Sequence, residues 1–572
     1  MILTIYDLSG IQSYIFATNK LKEMIGASFI VNEALFKNIP ELFIEEIDVW
    51  ETEAVLGKFE FKTDEEKKIV YIGGGNALVM YRSEDTEKKY TRELQKLVFE
   101  QTGGALKLCT ASICVKDYVE VAGKLAEIQK DLMARLDDNK RRTPNISTAK
   151  GFSINAHDNI NFEPVLLFDK GFATKSKYYK IEMYEKKRKK HGLNIIGNLN
   201  TDERFSYVNS FNKEEKDKIK DEDLIELYFI KQEAKNYLAI IHIDGNTMGI
   251  KIRKFVEEQQ GNLFESLGGL RKLSYEINNT YQKVLTSTIN EVYAQYANKL
   301  VETDKIRIEI PFRPIIVDGD DVTVICAAEN AFDLVKIFMK NLSKKPLDSF
   351  GDESKLTAAA GIAFVNVGFP FHTAYDMAEQ CCKNAKSETL KRGFDGDIKD
   401  NKSSIDFQIC YSGVTNKIKE FRTINYIFNG TNDGEKSVYK LNIRPYIFEI
   451  GNEIYSYENG FEKNIKDIAN KIARSKLKAM RNNYGKGVLS AKTYGEFLLA
   501  RSANEDEENQ KTAKLLSSPF LFDAVYKNKD GKTEKSYFAK FFDVLDVLEF
   551  ISPDAADEDK EYNGEIEVTA DE

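Results

Sequence analysis

The feature that most constrains the fold of this sequence is an internal repeat, because one order of apolar strands and helices occurs twice. The first copy opens with the strand-like stretch MILTIYDL (1–8), which is followed by a helical stretch over 10–37. It continues with KIVYIGGGNALVMY (68–81), a pattern that predicts two strands around a glycine-rich turn. A helix, a strand and another helix complete this unit.

The second copy repeats that order. YLAIIHID (237–244) predicts an apolar strand, and a long amphipathic helix follows over about 262–299. RPIIVDGDDVTVICA (313–327) then predicts two strands around an Asp-Gly turn, which is a strong hairpin signal. A helix, the strand LTAAAGIAFVN (356–366) and a last helix close the unit. Both copies therefore predict the βαββαβ order of a ferredoxin-like palm domain.

The remaining regions differ in composition from the two repeats. The sequence between the palms is more polar and less periodic, the region after the second palm is mainly helical in pattern, and the acidic end has the composition of a disordered segment. The predicted fold is α+β, with two ferredoxin-like palms, an inserted polar domain and a C-terminal helical domain. The predicted boundaries are 1–139 for the first palm, 140–234 for the interpalm domain, 235–410 for the second palm, 411–550 for the C-terminal helical domain and 551–572 for the acidic tail.

Composition and charge exclude several classes of protein. The chain of 572 residues is 42% hydrophobic and 30% charged, and its net charge of −9 argues against a protein coated in nucleic acid. Its start resembles no signal peptide and no apolar run is long enough to span a bilayer, so we expect a cytoplasmic protein with no membrane partner. The six cysteines form no CxxC pair and are expected to be reduced core residues, and the four histidines are too few for a histidine-based nuclease centre.

The tetrad DGDD (318–321) carries the strongest indication of chemistry. Asp320 and Asp321 lie beside apolar strands, and Asp244 ends the strand expected to neighbour this hairpin. Converging carboxylates repel one another unless a cation compensates them, and oxygen ligands favour Mg²⁺ or Mn²⁺. We therefore predict that these three residues hold two ions, which together activate a hydroxyl and stabilise a leaving pyrophosphate. The alternative is a hairpin turn with no chemical role.

Other residues of the second palm are weaker candidates for nucleotide binding. Gly245, Asn246 and Gly249 follow Asp244, and their backbone amides could surround phosphates. Lys386, in a predicted helix, could reach the same phosphates or could simply be a solvated lysine. No GxxxxGK[ST] motif occurs, which excludes a P-loop enzyme.

The first palm lacks the paired carboxylates at its matching turn. Glycine and Asn76 occupy the positions of the metal-binding aspartates, and Asp7 is the one carboxylate left. We therefore expect this palm to bind a nucleotide without catalysis, and a purely structural glycine hairpin remains the alternative. The predicted binding residues of this palm are Asp7, Ser9, Gly73, Gly74, Gly75 and Asn76.

Six motifs follow one another along both palms: DLSGIQSYIF (7–16), LKEMIGASFIVNEAL (21–35), YIGGGNAL (71–78), SLGGLRKLSYEIN (266–278), PIIVDGDDVTVI (314–325) and GIAFVNVGFPFHTAYDMAEQCCKNAK (361–386). In this order they resemble the large catalytic subunit of type III CRISPR effector complexes. The resemblance implies that the second palm condenses ATP into cyclic oligoadenylate, an antiviral second messenger. It implies that Ser274 lies near a nucleobase, and that crRNA-complex subunits and target RNA are possible partners.

This sequence departs from the family pattern in three ways. Asp318 replaces the first glycine of the usual GGDD tetrad, the first palm begins at Met1 with no preceding HD nuclease domain, and the interpalm region lacks zinc-binding cysteines. We therefore expect no nuclease activity. Two alternatives stay open: a non-catalytic scaffold subunit of an RNA-guided complex, and a GGDEF-like synthase that makes a cyclic dinucleotide from GTP.

Overall fold

The fold was analysed in a computed structural model of the chain. The residues that the structure describes are 1–36, 38–43, 53–73, 75–118, 121–142, 165–168, 171–191, 195–196, 199–200, 237–296, 298–302, 305–309, 312–353, 355–391, 402–411, 417–432, 435–469, 471–527 and 533–551. The predicted acidic tail and Gly74 lie outside these described residues, apart from Ile551.

The first palm is a four-stranded antiparallel sheet, ordered β2-β3-β1-β4, as expected of a ferredoxin-like fold. Its strands are β1 (Ile2–Ser9), β2 (Lys67–Gly73), β3 (Asn76–Tyr81) and β4 (Lys107–Cys114). Its helices are α1 (Ile11–Ile15), α2 (Leu21–Phe36), α3 (Asn38–Phe43), α4 (Glu84–Thr102) and α5 (Leu125–Arg142). Both faces of the sheet are covered, because Leu3 and Ile5 of β1 join one hydrophobic cluster while Tyr6 and Leu8 join another.

The interpalm region is described only in part. It contains the short strands β5 (Leu166–Phe168), β6 (Gly171–Ala173), β7 (Ile195–Ile196) and β8 (Leu199–Asn200), and the helix α6 (Lys175–His191). Helix α6 lies directly on α2, where a Cβ at Gly26 would be 1.8 Å from the carbonyl oxygen of Lys180. Lys187, from the basic run of this helix, pairs with Glu33 at 2.7 Å, so at least one residue of the run contacts the first palm.

The second palm has the same topology and a larger sheet. Its strands are β9 (Tyr237–Gly245), β12 (Phe312–Asp318), β13 (Asp321–Ala327), β14 (Ala358–Asn366) and β15 (Ser404–Cys410), with an outlying hairpin of β10 (Asn298–Glu302) and β11 (Lys305–Glu309). Its helices are α7 (Met248–Glu257), α8 (Leu263–Tyr296), α9 (Ala331–Ser343) and α10 (Phe371–Lys391). The order β12-β13-β9-β14 is that of the first palm, and β15 extends the sheet beyond β14. Two ferredoxin-like palms are therefore confirmed.

Helix α8 joins the two palms. Leu263, Leu267 and Leu270, from its first half, are buried in the cluster that covers the first palm's sheet. Its second half packs against the sheet of the second palm. The buried Arg271 guanidinium donates to the carbonyl oxygen of Ile69 in β2, at 2.8 Å, which ties the helix to the first palm. The palms therefore share buried surface along this helix.

The C-terminal region contains helices, as predicted, together with a sheet that the sequence did not predict. Its helices are α11 (Ile418–Tyr426), α12 (Lys463–Ile468), α13 (Arg474–Gly485), α14 (Val488–Arg501), α15 (Glu507–Ser517) and α16 (Phe542–Val547). Its strands are β16 (Ile427–Asn432), β17 (Glu435–Lys440), β18 (Tyr446–Ile447), β19 (Phe520–Lys527) and β20 (Thr533–Ala539). Strand β18 pairs with β15, and the other four form the order β16-β17-β20-β19. The strand signal was missed because β16 and β17 are rich in polar residues.

A buried network of ion pairs ties the C-terminal region to the second palm. Arg422 of α11 makes two hydrogen bonds of 2.8 Å to Asp406 of β15. Apolar side chains of both regions also lie in one hydrophobic cluster. The predicted boundary at residue 410 therefore crosses a shared core. Among the residues described, no helix combines the length and the apolar character needed to cross a membrane.

Candidate functional site

The DGDD tetrad forms the predicted hairpin turn, and backbone pairing brings its carboxylates to the end of β9. Asp318 pairs with Asp321 across the hairpin, and Asp321 pairs with Asp244 on the neighbouring strand. Gly319 makes the turn possible because its φ of 60° lies in the left-handed region that favours glycine. Asp320 occupies the turn itself, while the side chain of Asp318 lies outside the description. The three predicted carboxylates therefore meet at one end of the sheet.

The electrostatic state of Asp320 indicates crowding of negative charge. Burial, followed by the charge of Asp244, raises the pKa of Asp320 from 3.8 to about 6, and Asp321 adds to this effect. Lys386 opposes the rise in pKa. Its ammonium group lies 2.6 Å from Asp244 Oδ2 and donates to the carbonyl oxygen of Gly245 at 2.7 Å. The structure thus brings Lys386 to the carboxylates.

His242 is a residue of this site that the sequence analysis did not identify. Its Nδ1 atom lies 3.3 Å from Asp321 Oδ1 and 3.3 Å from Thr323 Oγ1. Burial alone would lower the pKa of His242, but the hydrogen bond and charge of Asp321, with a contribution from Asp244, raise it overall. The available signal was its position two residues before Asp244, since alternate residues of a strand share one face.

The three predicted binding residues of the loop after Asp244 have different surroundings. The Asn246 side chain is buried and donates to Thr357 Oγ1 at 3.2 Å and to the carbonyl oxygen of Lys402 at 3.1 Å, so its amide braces the loop. A Cβ at Gly245 would meet Tyr281 Oη at 2.7 Å and Asp320 Oδ2 at 2.8 Å, which explains why glycine is needed there. Gly249 is the second residue of α7, and a Cβ there would meet nothing within 4 Å.

Tyr281 of α8 is a second residue that sequence reasoning missed. Its side chain is fully buried, and its hydroxyl has no hydrogen-bond partner among the described residues. Burial and then the charges of Asp320 and Asp244 raise the pKa of Tyr281. A hydroxyl donor therefore lies beside the carboxylates, and its place on a long apolar helix face gave no sequence signal.

The first palm has an equivalent site with less charge. Asp7 pairs with Asn76 on the neighbouring strand, as Asp244 does with Asp321. Lys140 Nζ lies 2.8 Å from Asp7 Oδ2, and Ser9 donates to the same oxygen at 3.3 Å. Gly75 turns the hairpin with a φ of 69° and accepts a hydrogen bond from the amide of Leu8.

Ser274 lies at the first palm's hairpin. A Cβ at Gly73 would be 3.2 Å from Ser274 Oγ, although Ser274 belongs to α8 of the second palm. The predicted residues Asp7, Ser9, Gly73, Gly75 and Asn76 are therefore gathered at one place, with Ser274 beside them. The first palm's hairpin and a helix of the second palm thus face one another.

The two sites differ in how far their charge is compensated. In each palm, a lysine from the helix after the fourth strand of the repeat reaches the aspartate of the first strand. Lys140 alone offsets Asp7, whereas Lys386 and His242 together face three carboxylates. The excess negative charge and the all-oxygen donor set of Asp244, Asp320 and Asp321 fit a divalent cation such as Mg²⁺ or Mn²⁺.

Comparison with known proteins identifies the second palm. Residues 237–394 match the family model of the Cas10/Cmr2 second palm domain, which confirms the predicted relationship to type III CRISPR large subunits. None of the curated proteins matches the chain.

Solved structures of Csm1–Csm4 assemblies are similar over most of the chain. The Csm1–Csm4 cassette in complex with cA4 is 12% identical, with a TM-score of 0.44 over 90% of this chain and 69% of that one. The apo cassette is 13% identical, with a TM-score of 0.44 over 90% and 70%. The Csm1–Csm4 subcomplex of the type III-A interference complex is 14% identical, with a TM-score of 0.42 over 90% and 69%.

Proposed function

We propose that this chain, whose residues 237–394 are a second palm domain of the Cas10/Cmr2 family, condenses ATP into a cyclic oligoadenylate. The reaction joins the 3′-hydroxyl of one nucleotide to the α-phosphorus of another and releases pyrophosphate. The single observation that carries this proposal is the excess of carboxylate charge at the second palm. A scaffold has no need of three carboxylates that Lys386 and His242 compensate only in part, because uncompensated charge lowers stability.

Each residue of the second palm's site has a role in the proposed reaction. Asp244, Asp320 and Asp321 would hold two Mg²⁺ or Mn²⁺ ions, which when bound supply an activated hydroxyl and charge stabilisation for the leaving pyrophosphate. Lys386 would move from Asp244 to the phosphates, as its ammonium group already lies at the carboxylates. His242 would hold Asp321 in place through the contact at 3.3 Å.

The first palm would bind the second nucleotide without catalysing its reaction. Asp7 is already paired with Lys140, so this hairpin has little charge left to attract a cation. Gly73 and Gly75 add no side chain to this hairpin, and Ser274, whose Oγ would lie 3.2 Å from a Cβ at Gly73, would contact the base of the nucleotide. Positioning of this kind can supply a large share of a rate enhancement.

The assembly is also part of the proposal. Solved Csm1–Csm4 cassettes contain cA4, AMPPNP or ATP, and this supports ATP as substrate and a Csm4-like subunit as partner. We propose that the protein acts in the cytoplasm within an RNA-guided complex, with target RNA as a partner.

The test is incubation of the purified chain, alone and with its complex subunits and target RNA, with each nucleoside triphosphate and Mg²⁺ or Mn²⁺. Mass spectrometry should detect cyclic oligoadenylate from ATP. The variant Asp320→Asn/Asp321→Asn should make none, whereas Asp7→Asn, the matched change in the first palm, should still make product. A double variant that works at the wild-type rate would refute the assigned site. Absence of product under every condition would favour the scaffold, and a cyclic dinucleotide from GTP would favour the GGDEF-like alternative.

A further inference from the structure

A second group of metal-ligating side chains lies beside the three carboxylates. His242, Asp244 and Cys382 each offer one ligand atom, and these atoms lie within 4.8 Å of one another. His242 and Cys382 are buried, while Asp244 is partly exposed. The group includes only one of the three carboxylates assigned above, so it is a distinct donor set.

The fold brings these side chains together for identifiable reasons. His242 and Asp244 are two residues apart on β9 and therefore share one face of the sheet. Cys382 comes from α10, which lies very close to that face because β14 has glycine at position 361. A Cβ at Gly361 would be 2.0 Å from the carbonyl oxygen of Ala378 and 2.3 Å from the amide nitrogen of Cys382.

The strand register places the glycine opposite the histidine. Gly361 pairs directly with His242, and Ala359 pairs directly with Asp244. The Cys382 thiol donates to the carbonyl oxygen of Ala359 at 3.3 Å. The sulfur atom of Cys382 is thus held beside Ala359, the partner of Asp244 in the sheet. The backbone of Cys382 lies against Gly361, the partner of His242.

The donors of this group differ in kind from those of the carboxylate site. One nitrogen, one sulfur and one oxygen form a set that Zn²⁺ and Co²⁺ bind well and that Mg²⁺ avoids. Three protein ligands with a fourth position left for water are typical of an open zinc site. We propose that His242, Asp244 and Cys382 form a site for a borderline cation of the Zn²⁺ class.

Binding at this site has a clear balance of charge and protons. Cys382 loses its proton to solvent, its hydrogen bond to Ala359 breaks, and a metal–sulfur bond forms. His242 binds as the neutral imidazole through one ring nitrogen, so a protonated His242 also releases its proton to solvent. Asp244 leaves Lys386, with which it is paired at 2.6 Å. Because Asp244 also belongs to the carboxylate site, a Zn²⁺-class ion here competes with Mg²⁺ or Mn²⁺ there; only this competition rests on the proposed function.

Cobalt spectroscopy tests the site without any measurement of activity. The full chain is prepared in a Cys114→Ser background, because Cys114 is the exposed cysteine, and is titrated with Co²⁺. The expected result is a near-ultraviolet sulfur-to-cobalt charge-transfer band together with the visible bands of four-coordinate Co²⁺. Both should disappear when one equivalent of Zn²⁺ is added.

Matched variants separate this site from its neighbours. Cys382→Ser should lose the charge-transfer band, whereas Cys381→Ser, an equally buried neighbour outside the group, should keep it. Asp320→Asn should also keep the band, since Asp320 belongs only to the carboxylate site. No band in the parent protein, a band that survives Cys382→Ser, or a band lost in Asp320→Asn would overturn the proposal. None of these results depends on whether the protein condenses ATP.

Discussion

The substitution Asp320→Asn should stabilise the metal-free protein while abolishing its proposed activity. Burial and the charge of Asp244 raise the pKa of Asp320 from 3.8 to about 6. At about 1.4 kcal/mol for each tenfold change, this rise corresponds to about 3 kcal/mol of destabilisation when the carboxylate is charged. Asparagine has nearly the same shape and no charge. We therefore expect a gain of about 1–3 kcal/mol in the free energy of unfolding at pH 8.

Because the pKa of Asp320 is raised in the folded protein, the stability gained in Asp320→Asn should depend on pH. Between pH 3.8 and about 6 the folded protein binds more protons at Asp320 than the unfolded chain does, so stability falls as the pH rises through this window. The advantage of Asp320→Asn should be complete at pH 8, should shrink through pH 6 and should vanish near pH 4. The assay is urea unfolding followed by circular dichroism, with EDTA present, for both proteins at the three pH values.

Asp7→Asn is the matched control for this experiment. Asp7 is paired with Lys140 at 2.8 Å, so its removal should give no gain in stability. Added Mg²⁺ should stabilise the wild-type protein more than Asp320→Asn. An Asp320→Asn protein that is less stable than wild type at pH 8, or a difference that does not change with pH, would refute the electrostatic argument.

Three further predictions concern the glycines and Tyr281. Gly75→Asp should mainly raise KM in steady-state assays, because it would crowd the nucleotide site proposed in the first palm. A large fall in kcat at unchanged KM would contradict the roles proposed for the two palms. Tyr281→Phe should raise the free energy of unfolding by about 1 kcal/mol, since it removes an unpartnered buried hydroxyl, and should lower kcat about tenfold; unchanged kcat would exclude a role for the hydroxyl. Gly361→Ala should cost about 1–3 kcal/mol in urea unfolding because α10 must move, whereas Gly368→Ala, in open space, should cost little.

The sequence predicted the elements of this fold where periodicity and turn chemistry agree. The repeat, the Asp-Gly hairpin and the strand that ends at Asp244 were all readable because each depends on residues close together along the chain. Strands β16 and β17 were not predicted, since their polar residues show no simple alternation and the sheet that they join is completed by the distant strands β20 and β19.

The carboxylates of the candidate site were predictable from the sequence, and most of their partners were not. The three carboxylates follow from strand order, but the partners of those carboxylates depend on side chains from distant helices. Lys140, Tyr281 and Cys382 lie on helices whose rotation about their own axes is set by tertiary contacts, and sequence spacing does not encode that rotation. His242 was the exception, because strand alternation alone places it beside Asp244.

Helix α8 fixes the distance between the two hairpins. Ser274 lies at the first palm's hairpin and Tyr281 lies at the second, and seven residues of helix, about 10.5 Å, separate them. The helix therefore sets the spacing between the two hairpins, with one hydroxyl beside each of them. One residue inserted between Ser274 and Tyr281 would lengthen this spacing by about 1.5 Å and would rotate the Tyr281 hydroxyl about the helix axis by about 100°. Such an insertion would change the orientation of one palm relative to the other and would leave the residues of both hairpins unchanged.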